Sequence, residues 1–383
     1  MKLVVGFIPL LDCASLVVAA ERGFAAEEGL DLRLVRETSW ANIRDRIIVG
    51  QFDAAHMLAP MPIAAALGIG HVKTPMIAPF SLGLGGNAIT VSLSLWEEMT
   101  GEGAAEADFS AAQGEALRRV VTAREESGSD PLTFGMVYPF SCHNYELRYW
   151  LASAGIDPDK DVRLTVIPPP FLVDALRTGQ IDGFCVGEPW NSVAVDAGVG
   201  AIVTPTTALW PLSAEKVLGC RAEWAERYPE ELAALLRALY RAARWIEVPG
   251  NHAEVARLLA EPRYVGTAAG LLHRALAGRL ALQPGADPTT LRDFFVPASH
   301  HASFPWSSHA LWLYTQMVYW RQVEHSPEHL AAACQTYRPD LYRAALAGVD
   351  PDIPQGNEKT ERFFDGRTFE GANFTSWLHR EER

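Results

Sequence analysis

One passage of this chain occurs twice, and that repetition limits the folds open to it more than any other feature. Ile43–Pro60, moved along by 129 residues, falls on Leu172–Pro189 without a gap. Five of the eighteen positions are identical: Asp45/Asp174, Gly50/Gly179, Gln51/Gln180, Asp53/Asp182 and Pro60/Pro189. Ile43/Leu172 and Ile47/Leu176 match in apolar character. Each copy reads as a helix, a Gly-Gln-x-Asp turn and a strand running into a proline. Convergence on a common helix–turn–strand geometry would produce this pattern. So would two similar α/β lobes, the architecture that buries a small ligand in the cleft between them.

The flanking segments extend the same grammar. Leu3–Ile8 is an apolar run of the buried-strand kind, Ser15–Arg22 a short helix stopped by Gly23, and Asp31–Val35 a strand. Ser39 caps a helix Trp40–Val49 that ends at Gly50, and Asp53–Leu58 is the next strand. Further on, Thr133–Val137 is a strand and Ser141 caps a helix reaching Ala154. Arg163–Ile167 (strand), Phe171–Thr178 (helix) and Asp182–Val186 (strand) follow. Strands spaced by helices of this length predict a parallel α/β sheet, here twice over. Gly101–Glu115, rich in Gly, Ala and Glu, reads as a surface loop or insertion. From Glu223 onward the pattern is mostly helical, with helices expected at Pro229–Glu247, His252–Leu259 and Ser307–Val323, and the last thirty residues read as a tail packed on the body.

The 383 residues suit two domains or one bilobal unit. With 33 Lys+Arg against 46 Asp+Glu, the net charge of −13 argues against broad nucleic-acid binding and against docking on anionic membranes. An anion could still be held by a local pocket that overrides the global field. The cysteines, Cys13, Cys142, Cys185, Cys220 and Cys334, are odd in number and contain no CxxC, which fits reduced thiols in a cytoplasm. Met1-Lys2 before the apolar run Leu3–Leu11 imitates a leader, and Leu10-Leu11-Asp12-Cys13 imitates a lipoprotein box. A single lysine is a thin basic region, however, and Asp12 stands where such a box needs a small residue. The run is therefore read as the first strand of the fold.

Metal and nucleotide motifs are weak. His300, His301 and His309 cluster only loosely, and Ser326-Pro327 starts a new helix between His325 and His329. Gly83-Leu84-Gly85-Gly86 lacks the lysine of a phosphate-binding loop. What remains are hydrogen-bond donors near predicted helix or strand starts. Trp40 and His143 lie in the first turns after the caps Ser39 and Ser141, where backbone N–H groups are free and the helix dipole is positive. Gly86 and Asn87 offer backbone and amide N–H groups at a strand start. Lys216 is one of only five lysines. Each has a duller reading as core aromatic, cap neighbour, turn residue or solvated charge. Residue types and spacing alone stop at a two-lobed binder of small ligands, with an anion as one candidate.

Several stretches go further by resemblance. Gly6-Phe7-Ile8-Pro9-Leu10-Leu11-Asp12, Ser39-Trp40-Ala41-Asn42-Ile43-Arg44-Asp45 and Asp53-Ala54-Ala55-His56-Met57-Leu58-Ala59-Pro60-Met61-Pro62 resemble the nitrate/bicarbonate-binding protein family. So do Phe184-Cys185-Val186-Gly187-Glu188-Pro189-Trp190, Ser303-Phe304-Pro305-Trp306-Ser307-Ser308-His309 and Phe363-Phe364-Asp365-Gly366. The resemblance implies a bilobal α/β fold of the periplasmic-binding-protein type II class, with a ligand cleft between the lobes and a helical C-terminal region. Lobe I is then expected at 1–88 and 204–383, and lobe II at 89–203.

Transport members of that family carry an export signal and a linker. This sequence begins at the first strand and looks instead like the family's cytoplasmic nitrate/nitrite sensors. That likeness implies no cofactor and no catalysis, and as partner a NasT-like RNA-binding antiterminator that the ligand-free sensor holds inactive. The family's nitrate-binding positions fall on Trp40, His143 and Lys216, and its glutamine falls on Asn87, one methylene shorter. Nitrate is planar, singly charged and accepts hydrogen bonds only, so its pocket is expected to offer donors. Bicarbonate carries an O–H and would want an acceptor carboxylate. Lys216 favours nitrate or nitrite, while the adjoining Glu215 is the acceptor that would suit bicarbonate.

Overall fold

In the computed structural model, which describes residues 1–70 and 72–378, the apolar run near the N-terminus is a central strand. This strand, β1 (Lys2–Phe7), lies between β2 (Asp31–Arg36) and β3 (Ala54–Leu58), parallel to both. Leu3, Val5 and Phe7 are fully buried, which explains why a leader-like composition belongs here to the core. The first sheet is completed by β4 (Met76–Ser81), in the order β2-β1-β3-β11-β4, where β11 (Lys216–Arg221) returns late in the chain. Between them, β5 (Leu84–Gly85) pairs with Phe295–Val296 outside either sheet. The second sheet contains β6 (Asn87–Ser92), β7 (Thr133–Met136), β8 (Arg163–Val166), β9 (Gly183–Gly187) and β10 (Gly200–Pro205), in the order β10-β6-β9-β7-β8.

Read from opposite ends, the two sheets are the same object. Three parallel strands (β2-β1-β3, and β8-β7-β9) are followed by one antiparallel to them (β11, and β6) and by an outer strand antiparallel to that one (β4, and β10). The repeated Asp makes the same bond in both. Asp53 Oδ2 accepts from the Val4 N–H at 2.8 Å, and Asp182 Oδ2 accepts from the Thr133 N–H at 2.7 Å. The repeated glycines, Gly50 and Gly179, take φ of +78° and +70° at the end of the preceding helix, a conformation that would strain any other residue. The repeat thus records two lobes of one topology. Each sheet gains its antiparallel strand where the chain crosses over: β6 as it enters the second sheet, and β11 as it returns to the first.

The helices follow their apolar spacing. Pro229–Ile246 buries Leu232, Leu235, Leu236, Leu239 and Ile246 against the first lobe, in one core with Leu16 and Val17. Two expectations shift. Gly101–Glu115 is only partly loop, because a helix starts at Ala112 and runs to Ser127, burying Ala116, Leu117, Val120 and Val121. Its Ala, Glu and Arg residues are good helix formers, and their composition, taken as loop-like, masked the i, i+4 stripe. The helix expected to reach Val323 spans Ser307–Tyr319, since Arg321 takes φ of +58° and turns the chain away.

The tail is an extended strap. Glu361 Oε2 accepts from Trp210 Nε1 at 2.8 Å, and the Phe363 ring stacks on Trp312. Asp365 Oδ2 accepts from Tyr149 OH at 2.7 Å, so the strap reaches a second-lobe helix. His309 pairs with Glu361 at 3.0 Å, while His300 and His301 stand in an exposed left-handed turn, so these histidines do not converge. Among the described residues no helix is long and apolar enough to cross a membrane.

Candidate functional site

Lys216 begins β11, opposite Leu58 of β3, and its side chain is 0% exposed. An ammonium in such a place must be paired. Its Nζ lies 2.9 Å from Asp12 Oδ2 and also bonds the carboxylate of Glu215. Asp12 sits in a single turn after β1, where its other oxygen is 2.9 Å from His56 Nε2 on β3. The Ile8 N–H donates to His56 Nδ1 at 3.4 Å, which leaves the imidazole proton on Nε2, facing Asp12. Trp40 follows its cap as read from the sequence, for Ser39 Oγ accepts from the Asn42 N–H. The indole stands edge-on to His56 at 5.3 Å, with Lys216 Nζ 5.7 Å from its ring centre. Trp40 Nε1 is buried and has no hydrogen-bond partner among the described residues.

The second lobe closes the cluster. Ser141 Oγ accepts from the Asn144 N–H at 3.1 Å and starts the helix Cys142–Ser153. This helix carries His143 and Glu146 one turn apart on one face. His143 Nε2 is 3.1 Å from Glu215 Oε1 and 3.5 Å from Lys216 Nζ, and its Nδ1 is buried without a partner among the described residues. Asn87, the first residue of β6, donates from Nδ2 to Glu146 Oε2 at 3.1 Å and to Glu215 Oε2 at 2.6 Å.

Burial and charge set the ionisation. Burial alone would raise the Asp12 carboxyl, but Lys216 and His56 outweigh it and hold the group well below the usual carboxylate range. Burial likewise opposes the Lys216 charge, and Asp12 and Glu215 more than restore it, so the ammonium persists. Burial pushes both imidazoles down, His143 further because it faces Lys216, and both are neutral near pH 7. Glu146 is pushed up to about 8 by burial and then by Glu215. Glu215 is raised too, by burial that the neighbouring Lys216 only partly offsets.

Trp40, Asn87, His143 and Lys216 are therefore brought into one buried cluster. Gly86 is nearby, but its N–H donates to the Phe294 carbonyl at 2.6 Å and so does not point into the site. The pocket also departs from a pure donor set. Asp12, His56 and Glu146 belong to it and escaped the reading of residue types, and Glu215 is inside it. The signal that could have found Asp12 and His56 lay in the same family-like stretches that carry Ile8 and Met57. Among the described residues no group of three or more His, Cys, Asp or Glu side chains is placed to hold a metal. The arrangement joins donors of both lobes around one ammonium, which equips it to clamp a small polar ligand.

Two α/β lobes with a polar cluster buried between them define a periplasmic-binding-protein fold. The crystal structure of the periplasmic nitrate-binding protein NrtA from Synechocystis PCC 6803 superposes with a TM-score of 0.91 at 28% identity, covering 98% of this chain and 97% of that one. The chain matches the NMT1-like family over residues 1–260, and it belongs to that family. It is 37% identical to the nitrate import ATP-binding protein NrtC of Synechocystis sp. PCC 6803 over 96% of its own length, but spans only 53% of that relative. It is 35% identical to the nitrate/nitrite binding protein NrtA of Synechococcus elongatus PCC 7942, with 97% of this chain and 84% of the relative covered.

Proposed function

We propose that this chain is a non-catalytic nitrate/nitrite sensor of the cytoplasm, NasS-like, that controls a NasT-like RNA-binding antiterminator. The anion is held between lobe I (1–88 and 204–383) and lobe II (89–203) by Lys216, the His143 imidazole and the Trp40 indole N–H, with Asn87 ordering the adjoining carboxyls. The observation that carries the reading is Lys216, a fully buried ammonium set between the lobes beside the His143 imidazole and the Trp40 indole N–H, which has no hydrogen-bond partner among the described residues. Nitrate, which only accepts, suits those groups. The exposed free thiol of Cys334, with four buried ones, favours a reducing compartment. Closure on the anion would change the surface offered to the partner, and ligand and partner would be linked reciprocally.

The second reading is the substrate-binding component of a nitrate or bicarbonate transporter, favoured by the similarity over 84% of the Synechococcus NrtA. Calorimetric titration with nitrate, nitrite, bicarbonate and sulfate, alone and with the antiterminator, decides between them. The sensor reading expects nitrate or nitrite to bind and to release the partner. Ligand binding with no complex in either state would favour the transporter, and tighter bicarbonate binding would move the ligand assignment.

A further inference from the structure

Three carboxyl groups converge on this cleft, Asp12, Glu146 and Glu215, and Lys216 is the cation that acts on all of them. That ammonium is already bonded to two of the three. Asn87 ties Glu146 to Glu215 through one Nδ2, so the two acids share a single amide instead of each finding a cation. The other groups facing the pair are uncharged near neutral pH. They are His56 on β3, Cys142 and His143 on the second-lobe helix, Cys185 on β9, and Tyr337 behind Glu215. A monovalent anion entering here adds a negative charge to a dry site that holds more acids than cations. Its closest donors, Lys216 and His143, are the groups that Glu215 Oε1 now contacts.

We propose that the cleft takes its monovalent oxyanion together with one proton, carried by the Glu146–Glu215 pair. This rests on the cleft being the anion site. The proton comes from solvent and converts the Glu215 carboxylate into a neutral acid. Lys216 and His143 are thereby freed for the anion, and an acceptor facing it is replaced by an O–H donor. Asp12 stays ionised and keeps Lys216 charged and in place. Glu215 is thus a positioning and specificity residue whose protonation state decides whether the pocket repels or receives the ligand.

The test is calorimetry of the whole chain with sodium nitrate from acid to alkaline pH, far enough above the titration of Glu146 at about 8 to reach the limiting slope, each pH in two buffers of different ionisation enthalpy. The expected result is uptake of about one proton per nitrate above the titration range of the pair, with Kd rising about tenfold per pH unit there. Glu215→Gln, neutral at every pH, should bind nitrate with no proton uptake and a flat Kd. Glu146→Gln should lower the pH at which uptake begins, and it serves as the second variant if the first does not fold. Nitrate binding with no proton uptake and a Kd independent of pH would overturn the inference while leaving the anion site standing. No nitrate binding at any pH would overturn the site and this inference with it.

Discussion

Replacing Glu146 with glutamine should make the protein more stable at pH 8 and leave it nearly unchanged at pH 5. The side chain keeps its shape, and its carbonyl oxygen still accepts from Asn87 Nδ2, now 3.1 Å from Glu146 Oε2. The folded chain holds the Glu146 proton up to about pH 8, against an ordinary value of 4.5, because burial and Glu215 disfavour the anion. Between those limits the folded state binds a proton that the unfolded state does not, so wild-type stability falls as pH rises. The slope is about 1.4 kcal/mol per pH unit, and over the 3.5-unit window from 4.5 to 8 it reaches about 5 kcal/mol as an upper figure. Glutamine has no proton to lose and removes this slope. Glu188, pushed up to about 7 by its own burial, titrates in both proteins and cancels in the difference.

Thermal melts followed by tryptophan fluorescence at pH 5, 6, 7 and 8 provide the assay. At roughly 2 °C per kcal/mol for a long chain, Glu146→Gln should melt up to about 10 °C above wild type at pH 8. The two should converge to about a degree at pH 5. Melting curves that run parallel across this range, or a variant that loses stability at pH 8, would refute the reasoning that Glu146 is kept neutral by its surroundings.

Three further outcomes follow from the same geometry. Lys216→Met should abolish nitrate binding in calorimetry and, by leaving Asp12 and Glu215 buried without their cation, cost about 3–5 kcal/mol in urea unfolding at pH 8. The loss should shrink in acid, where those carboxyls, now raised in the folded state, take up protons. Trp40→Phe keeps the ring against His56 but removes the unpartnered indole N–H; nitrate should weaken about ten- to a hundredfold, with the circular dichroism melt nearly unmoved. Tyr149→Ala removes the hydroxyl bonded to Asp365 and the ring packed on Phe363 and Trp377, so amide hydrogen exchange should quicken over 361–378 and not in β1.

How much of this was legible in the sequence depended on the range of the interaction. The repeat exposed two lobes because its signals are local: a helix stripe, a glycine that must turn left-handed, and an aspartate that accepts an N–H of the neighbouring strand. Ser39 and Ser141 both cap as read, and Trp40 and His143 both reach the cleft from those starts. Asp12, His56 and Glu146 were hidden for the opposite reason. Their partners lie across sheet pairings between distant segments, such as β11 beside β3, for which periodicity has no signature. Gly86 shows the same limit from the other side, because its free-looking N–H meets a carbonyl more than two hundred residues away. The strap was legible as a packed tail, but its hold on Tyr149 of the other lobe was not.

The placement of Glu215 changes what binding means for this fold. β11 belongs to the first sheet, whereas His143 lies on a second-lobe helix and Asn87 begins a strand of the second sheet, so the Glu215 contacts with His143 and Asn87 join elements of the two sheets' halves. Glu215 contacts His143, Asn87 and Lys216 at one point. On the proposed reading, an anion entering between Lys216 and His143 would compete with Glu215 for the same donors. Its affinity is therefore a difference between two sets of charge-assisted hydrogen bonds, not the sum of the new ones. A ligand that merely matched Glu215 in place and charge would exchange bonds without shifting the lobes. A planar trigonal anion that also reaches Trp40 Nε1 would add a donor that has no partner among the described residues, and this surplus is what can favour one lobe arrangement over another.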